Sequence, residues 1–181
     1  MNKLLISVAV SCSLAIPLNS NALQGDVHGR DLNISGLGWV GHVGIESANY
    51  NILEMLSGTT KESNWGYTSE LHKNSKSSFK MSSPYWGAKY WNWLVDNQFW
   101  RVYNYIVPNA DWVEDVGANY TTTVFYNHPS SYQDSRGNWR IRLAKYRCDT
   151  YTESMYNTGG IVFSSSVQLP TTIYNALPDK R

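Results

Sequence analysis

Charge is scarce in this chain. Only 16% of its 181 residues are charged and the formal net charge is +1. A balance this near zero lacks the basic footprint of a nucleic-acid binder, so no nucleic-acid partner is expected. Long apolar runs are also missing. The one near the N-terminus follows Lys3 and spans about a dozen residues, short of the roughly 20 that a membrane-spanning helix needs. No second run follows, which excludes a stable membrane span. Cysteine is represented twice, at Cys12 and Cys148. The four histidines (His28, His42, His72, His128) form no HExxH or other close pair, so nothing supports a zinc site. A GxSxG elbow is absent, which removes the usual serine-hydrolase signature.

Met1–Ala22 has the form of a secretory signal peptide: Lys3, a short apolar run broken at Pro17, and small residues at Ser20-Asn21-Ala22. Cleavage there predicts an exported protein, periplasmic or secreted, whose mature domain is 23–181. It would remove Lys3 and no acid, taking the net charge from +1 to zero. It would also remove Cys12, leaving Cys148 as the only thiol and no internal disulfide. A length of 181 residues is that of one domain, and 42% hydrophobic residues suffice for a core. Eight Trp and 13 Tyr against four Phe favour aromatics with one apolar face and one wet edge, suited to lining a groove.

Along the chain, the polar stretch Leu23–Asp31 opens the mature fold. Gly36 to Glu46 reads as a strand with one small-residue face, and Asn51–Leu56 as a second strand, with a hairpin connection between them. Ser57–Ser83, rich in Ser, Lys, Asn and Thr, reads as a surface excursion. Pro84–Val107 suits an amphipathic helix stopped by Pro108, its aromatics recurring at three- and four-residue steps. The run Tyr120–Tyr126 carries a strand signal, and Asn127–Asn138 is rich in turn residues. Trp139–Ala144 reads as a short strand leading to Cys148. Cys148–Thr158 reads as a helix closed by Gly159-Gly160.

The Gly25–Gly29 block superficially matches the first block of metallophosphoesterases, but no later GDxxD or GNH block follows. Cysteine chemistry remains. A thiol attacks as its thiolate, which an imidazole and a helix N-terminus both favour. Cys148 stands at the start of the expected helix, where free N–H groups and the dipole favour negative charge, although Asp149 beside it works weakly the other way. His42 lies on a strand between Gly41 and Gly44, and Glu54 lies centrally on the next. Adjacent strands of a hairpin can set these side by side, so that Glu54 orients one imidazole nitrogen while the other faces the thiol.

Gly25-Asp26-Val27, the GHVGIE segment Gly41–Glu46 and the NILEML segment Asn51–Leu56 resemble the core of NlpC/P60-type papain-fold hydrolases. Most members place the cysteine before the histidine. Here Cys148, in Tyr146–Tyr156, comes last. That order resembles the circularly permuted branch, the YaeF/YiiX-like and lecithin:retinol acyltransferase-like proteins. The resemblance spans roughly Gly25 to Gly160. It implies an α+β, circularly permuted papain-like fold, with an antiparallel sheet packed against a C-terminal nucleophile helix. It further implies a thiol hydrolase cleaving an amide or ester with Cys148, His42 and Glu54 as catalytic residues and no metal or cofactor. The implied partners are a peptide, a peptidoglycan fragment or an acyl substrate. A cell-wall peptide amidase or peptidase is the leading expectation, and a lipid acyltransferase or deacylase is open within the same branch. The insertion Ser57–Tyr105 has no counterpart in that resemblance. The rival from another class is a non-catalytic module gripping glycan or peptide through Trp39, Trp65, Trp86, Trp91 and Trp93.

Overall fold

A computed structural model describes residues 23–32, 36, 40–81, 83–90, 99–163 and 169–180. The expected signal peptide lies outside the described residues, as do Trp39, Trp91 and Trp93. The architecture is α+β. Its centre is a six-stranded sheet in which every paired neighbour is antiparallel, built from β1 (Val27–Arg30), β2 (His42–Glu46), β3 (Ile52–Met55), β6 (Leu71–Asn74), β7 (Tyr85–Tyr90) and β12 (Asp179–Lys180). The strands run in the order β12–β7–β1–β2–β3–β6. The remaining strands form three small two-stranded sheets: β4 (Lys61–Glu62) with β5 (Thr68–Ser69), β8 (Ala118–Tyr120) with β11 (Ala144–Tyr146), and β9 (Ser130–Gln133) with β10 (Trp139–Arg142). Among the described residues, no helix is long and apolar enough to cross a membrane.

Register divides the main sheet into two unlike faces. Val27 pairs with Ile45, and Ile45 with Leu53, so these apolar side chains share one face, as Val43 and Met55 do two residues away. That face meets helices α4 (Cys148–Thr158) and α5 (Pro170–Ala176), and the core closes with Tyr151, Met155, Tyr156 and Ile173, each at most 1% exposed. The opposite face carries His28, Arg30, His42, Glu46, Glu54 and Asn74. It is polar yet buried, because α1 (Lys76–Met81) lays Phe79 across it, with ring centroids 6.1 Å from both His28 and His42.

Several expectations need correcting. Pro84–Val107 is not one helix: Tyr85–Tyr90 is a strand, and 91–98 lie outside the described residues. Trp86, Ala88 and Tyr90 fit a period of two as well as a helical one, and Trp86 packs where Cβ atoms at Gly29 and Gly41 would stand. Helical structure begins at α2 (Phe99–Arg101), passes through a π-helical segment (Val102–Ile106) and continues as α3 (Val107–Val116). Pro108 therefore opens a helical segment instead of stopping one. The preceding π turn carries the chain into it, with the Val107 N–H donating to Val102 O.

The surface excursion Ser57–Ser83 contributes a core strand and helix, with Leu71, Phe79 and Ser69 fully buried. Its low hydrophobicity concealed this because the burial rests on single apolar residues and on Ser69, whose hydroxyl bonds the Ala118 backbone. The strand expected in Tyr120–Tyr126 ends at Tyr120, and Phe125 is 83% exposed. Trp139–Arg142 pairs in an exposed hairpin with Ser130–Gln133, and it is Ala144–Tyr146 that delivers the chain to Cys148.

Candidate active site

His42 is the first residue of β2, and a glycine with φ of +75° precedes it. A side chain at Gly41 would put its Cβ 1.8 Å from Trp86 Cη2, so only glycine brings the strand in here. Register sets Arg30 opposite His42, with Glu54 diagonal to it on the same face. The His42 Nε2–H donates to Glu54 Oε2 at 2.7 Å. Gly44 lies beneath this contact, where a Cβ would come within 3.3 Å of Glu54 Cβ and within 2.5 Å of Ile52 Cγ2. The two glycines of the GHVG segment thus serve packing: one admits Trp86 and the other admits Glu54.

Glu54 is held from three sides. Arg30 donates through Nη2 to Oε2 at 2.9 Å, and Asn74 through Nδ2 to Oε1 at 2.7 Å, in addition to the histidine. Burial would raise its pKa, but the His42 hydrogen bond and charge, then Asn74 and Arg30, outweigh burial and lower it to about 2. Neither Arg30 nor Asn74 was recognised from sequence. Arg30 immediately follows the Gly25–Gly29 block, and Asn74 lies in the stretch whose composition reads as surface. The only available signal was the alternation of Leu71 and Lys73 with His72 and Asn74.

Cys148 is the first residue of α4, 6% exposed. Arg147 caps the helix from an extended conformation, its N–H donating to Thr150 Oγ1 at 2.8 Å. The Arg147 guanidinium pairs with the buried Asp149 carboxylate, its Nε 2.9 Å from Oδ1. Asp149, which by sequence opposes a thiolate, is thereby matched by a cation. The Cys148 thiol and the His42 imidazole line the same cleft. Burial disfavours the imidazolium, yet charge and hydrogen-bond interactions with Cys148, followed by those with Glu54, raise the His42 pKa to about 9. Because Nε2 is committed to Glu54, Nδ1 is the nitrogen left for the sulfur.

All three sequence-predicted residues are brought together. His42 and Cys148 line a cleft of about 250 Å³, with Leu32, Val40, Leu169 and Pro170 as apolar wall and Tyr120, Thr122 and Arg147 as polar wall. Burial, and then the charge of Cys148, raise the Tyr120 pKa, so its hydroxyl stays protonated beside the thiol. Chemically, the cleft offers a nucleophile, a base oriented by a carboxylate, and helix-start N–H groups that can face a developing oxyanion. Among the described residues, no group of three or more His, Cys, Asp or Glu side chains is placed to hold a metal ion.

Of the tryptophans assigned to the rival binding module, Trp86 is unsuited to a ligand. Its Nε1–H donates to Asp31 at 2.6 Å and its ring packs edge-on to Tyr174. Trp65 is 52% exposed. Compared with known protein families, curated proteins and solved structures, the chain matches none.

Proposed function

We propose that this protein is an exported cysteine hydrolase of the circularly permuted papain-like type, cleaving an amide or ester bond through Cys148, His42 and Glu54. One observation carries the reading. A helix-start cysteine shares one cleft with a histidine whose Nε2 is fixed by a buried carboxylate. The chain order, His42 then Glu54 then Cys148, agrees with the permuted arrangement that the sequence resembles.

The Cys148 sulfur attacks the carbonyl carbon, and the backbone N–H of Cys148 faces the resulting oxyanion. The tetrahedral species collapses as the imidazolium of His42 gives its proton to the leaving amine or alcohol, and the thioester of Cys148 remains. His42 then takes a proton from water, which attacks the thioester and releases the acid and the thiolate. Glu54 compensates the imidazolium charge and holds the ring. A cell-wall peptide amide is the substrate to try first. The apolar wall of Leu32, Val40, Leu169 and Pro170 favours, as a second reading, an acyl chain held as an ester.

The test is twofold. Iodoacetamide should alkylate wild-type Cys148 at pH 6 at least tenfold faster than free cysteine, and the excess should vanish in His42→Ala. Incubation with peptidoglycan peptides and with p-nitrophenyl acetate should give turnover that Cys148→Ser abolishes. Alkylation indifferent to His42, or full turnover in Cys148→Ser, would sink the mechanism.

A further inference from the structure

The polar face of the main sheet carries a buried cation that the proposed triad leaves without a role. Arg30 ends β1 and is 7% exposed. Its strand is separated from β3, which bears Glu54, by the whole of β2. The guanidinium nevertheless reaches Glu54 Oε2 through Nη2 at 2.9 Å, and Ser83 Oγ through Nη1 at 3.3 Å. The guanidinium carbon stands 4.9 Å from the centre of the Phe79 ring, which closes it off from above. Its Nε is buried without a hydrogen-bond partner, a cost that a side chain placed only to fill space would avoid. The backbone is irregular at the same point. The β1–β7 ladder pairs Gly29 with Gly87 but Arg30 with Tyr85, and a slip of this kind re-aims a side chain.

Glu54 Oε2 is also the oxygen that accepts from His42, while Oε1 accepts from Asn74. Of these three partners His42 can lose its charge and Asn74 has none. Arg30 is the permanent cation. The other charged or titratable groups facing this region are engaged elsewhere. Lys76 pairs with Glu46 Oε1 at 2.6 Å, Lys80 lies over the Tyr85 ring, and His28 is bonded to Glu46. His72, opposite Glu54 on β6, has its Nε2 3.0 Å from Thr59 O. Cys148 lines the cleft with His42.

We infer that Arg30 is a positioning residue for the His42–Glu54 pair, its fixed charge keeping the buried Glu54 ionised and thereby setting the acid limit of the site. Whenever His42 is neutral, Arg30 is the charge that still holds the carboxylate, so the imidazole proton stays on Nε2. A mere strap between β1 and β3 would need a donor but no charge. The consequence for turnover rests on the hydrolase reading, whereas the hold on Glu54 does not.

NMR titration of the Glu54 carboxyl carbon in the whole chain reads that hold directly, with Glu54→Gln identifying the signal. In Arg30→Gln, which keeps a donor and loses the charge, the Glu54 midpoint should rise by about one pH unit, a tenfold gain in proton affinity. Arg30→Lys keeps the charge and should raise the midpoint less than half as far. Arg30→Met fills the space against Phe79 without charge or donor, and it supplies the same reading should Arg30→Gln not fold. The acid limb of turnover should move up with the midpoint. Three results each overturn the inference: a midpoint unchanged in the uncharged variants, a rise in Arg30→Lys as large as in Arg30→Gln, or an acid limb that stays in place while the midpoint moves. Turnover that survives Cys148→Ser would sink the hydrolase reading instead, and the midpoint would still decide whether Arg30 holds Glu54.

Discussion

Two histidine–glutamate pairs lie on the same buried face of the main sheet, and their surroundings shift the two histidine pKa values in opposite directions. His28 meets Glu46 at 2.8 Å and His42 meets Glu54 at 2.7 Å, each through Nε2, and all four residues are at most 4% exposed. His28 is nevertheless lowered. Burial dominates there, and the positive charges of Lys76 and Lys80 add to it against the pull of Glu46. Its Nε2–H donates to Glu46 at 2.8 Å, and its Nδ1 lies 2.9 Å from the Tyr85 hydroxyl, which can donate to a neutral ring. At His42 the same burial is overcome, first by Cys148. A buried carboxylate partner alone does not fix the protonation of a histidine. The third group does: a hydroxyl and two lysines in one case, a thiol in the other.

The sharpest way to break this comparison is to remove each ring in turn. His42→Ala should cost turnover on the order of 10⁴-fold or more, as loss of a triad base does. His28→Ala should leave turnover per folded molecule within a few-fold. Its cost should appear in stability, roughly 2–4 kcal/mol, because the buried Glu46 carboxylate loses one partner. Urea unfolding and turnover measured on both variants read the two effects separately. If His28→Ala also abolished turnover while folded, the proposed division between a catalytic and a structural pair would fail.

That division was only half legible in the sequence. GHVG followed twelve residues later by Glu54 pointed to one pair, because two adjacent strands in simple antiparallel register make the contact. Cys148 was legible because α4 has clear boundaries, a first-turn acid and a terminal glycine pair. The His28–Glu46 pair was not, since it joins β1 to the far end of β2 and no local spacing announces it. Nor was the strand Tyr85–Tyr90, whose partner β1 lies more than fifty residues earlier and whose aromatics satisfy two periods at once. What escaped was the non-local pairing that decides which polar groups share a face.

Glu54→Gln comes next in size. It keeps a hydrogen-bond acceptor but removes the charge that compensates the imidazolium, so turnover should fall roughly 10²-fold, less than for His42→Ala. The pH dependence of stability sharpens the same point. Glu54 is lowered from 4.5 to about 2, so its contribution is complete above 4.5 and is lost as pH falls through about 2. His42 is raised from 6.5 to about 9, so its contribution is complete below 6.5 and is lost as pH rises through about 9. His28 has the opposite sign to His42: being lowered, it favours the fold above 6.5 and loses that contribution as pH falls. In Glu54→Gln the acid limb should shrink and the alkaline limb should move to lower pH, while the His28 limb stays. Urea midpoints between pH 3 and 10 resolve these limbs, and an alkaline limb unchanged in the variant would show that Glu54 contributes nothing to the charge on His42.

The smallest expected effect separates positioning from charge. Asn74 donates to Glu54 Oε1, the oxygen that His42 does not use. Asn74→Ala leaves that buried oxygen short of a donor, at a cost of about 1–2 kcal/mol in stability. The His42–Glu54 bond and the Arg30 ion pair both remain on Oε2, so turnover should fall only a few-fold. Asn74 also helps to lower Glu54, so its loss should move the acid limb of the turnover profile to higher pH without moving the alkaline one. A purely structural asparagine would lower the urea midpoint and leave the profile where it was. Asn74→Asp sharpens this further, because a second carboxylate against Oε1 should repel Glu54 and push the acid limb higher than Asn74→Ala does. If both variants gave the wild-type profile, Arg30 and His42 alone would be enough to hold the Glu54 charge.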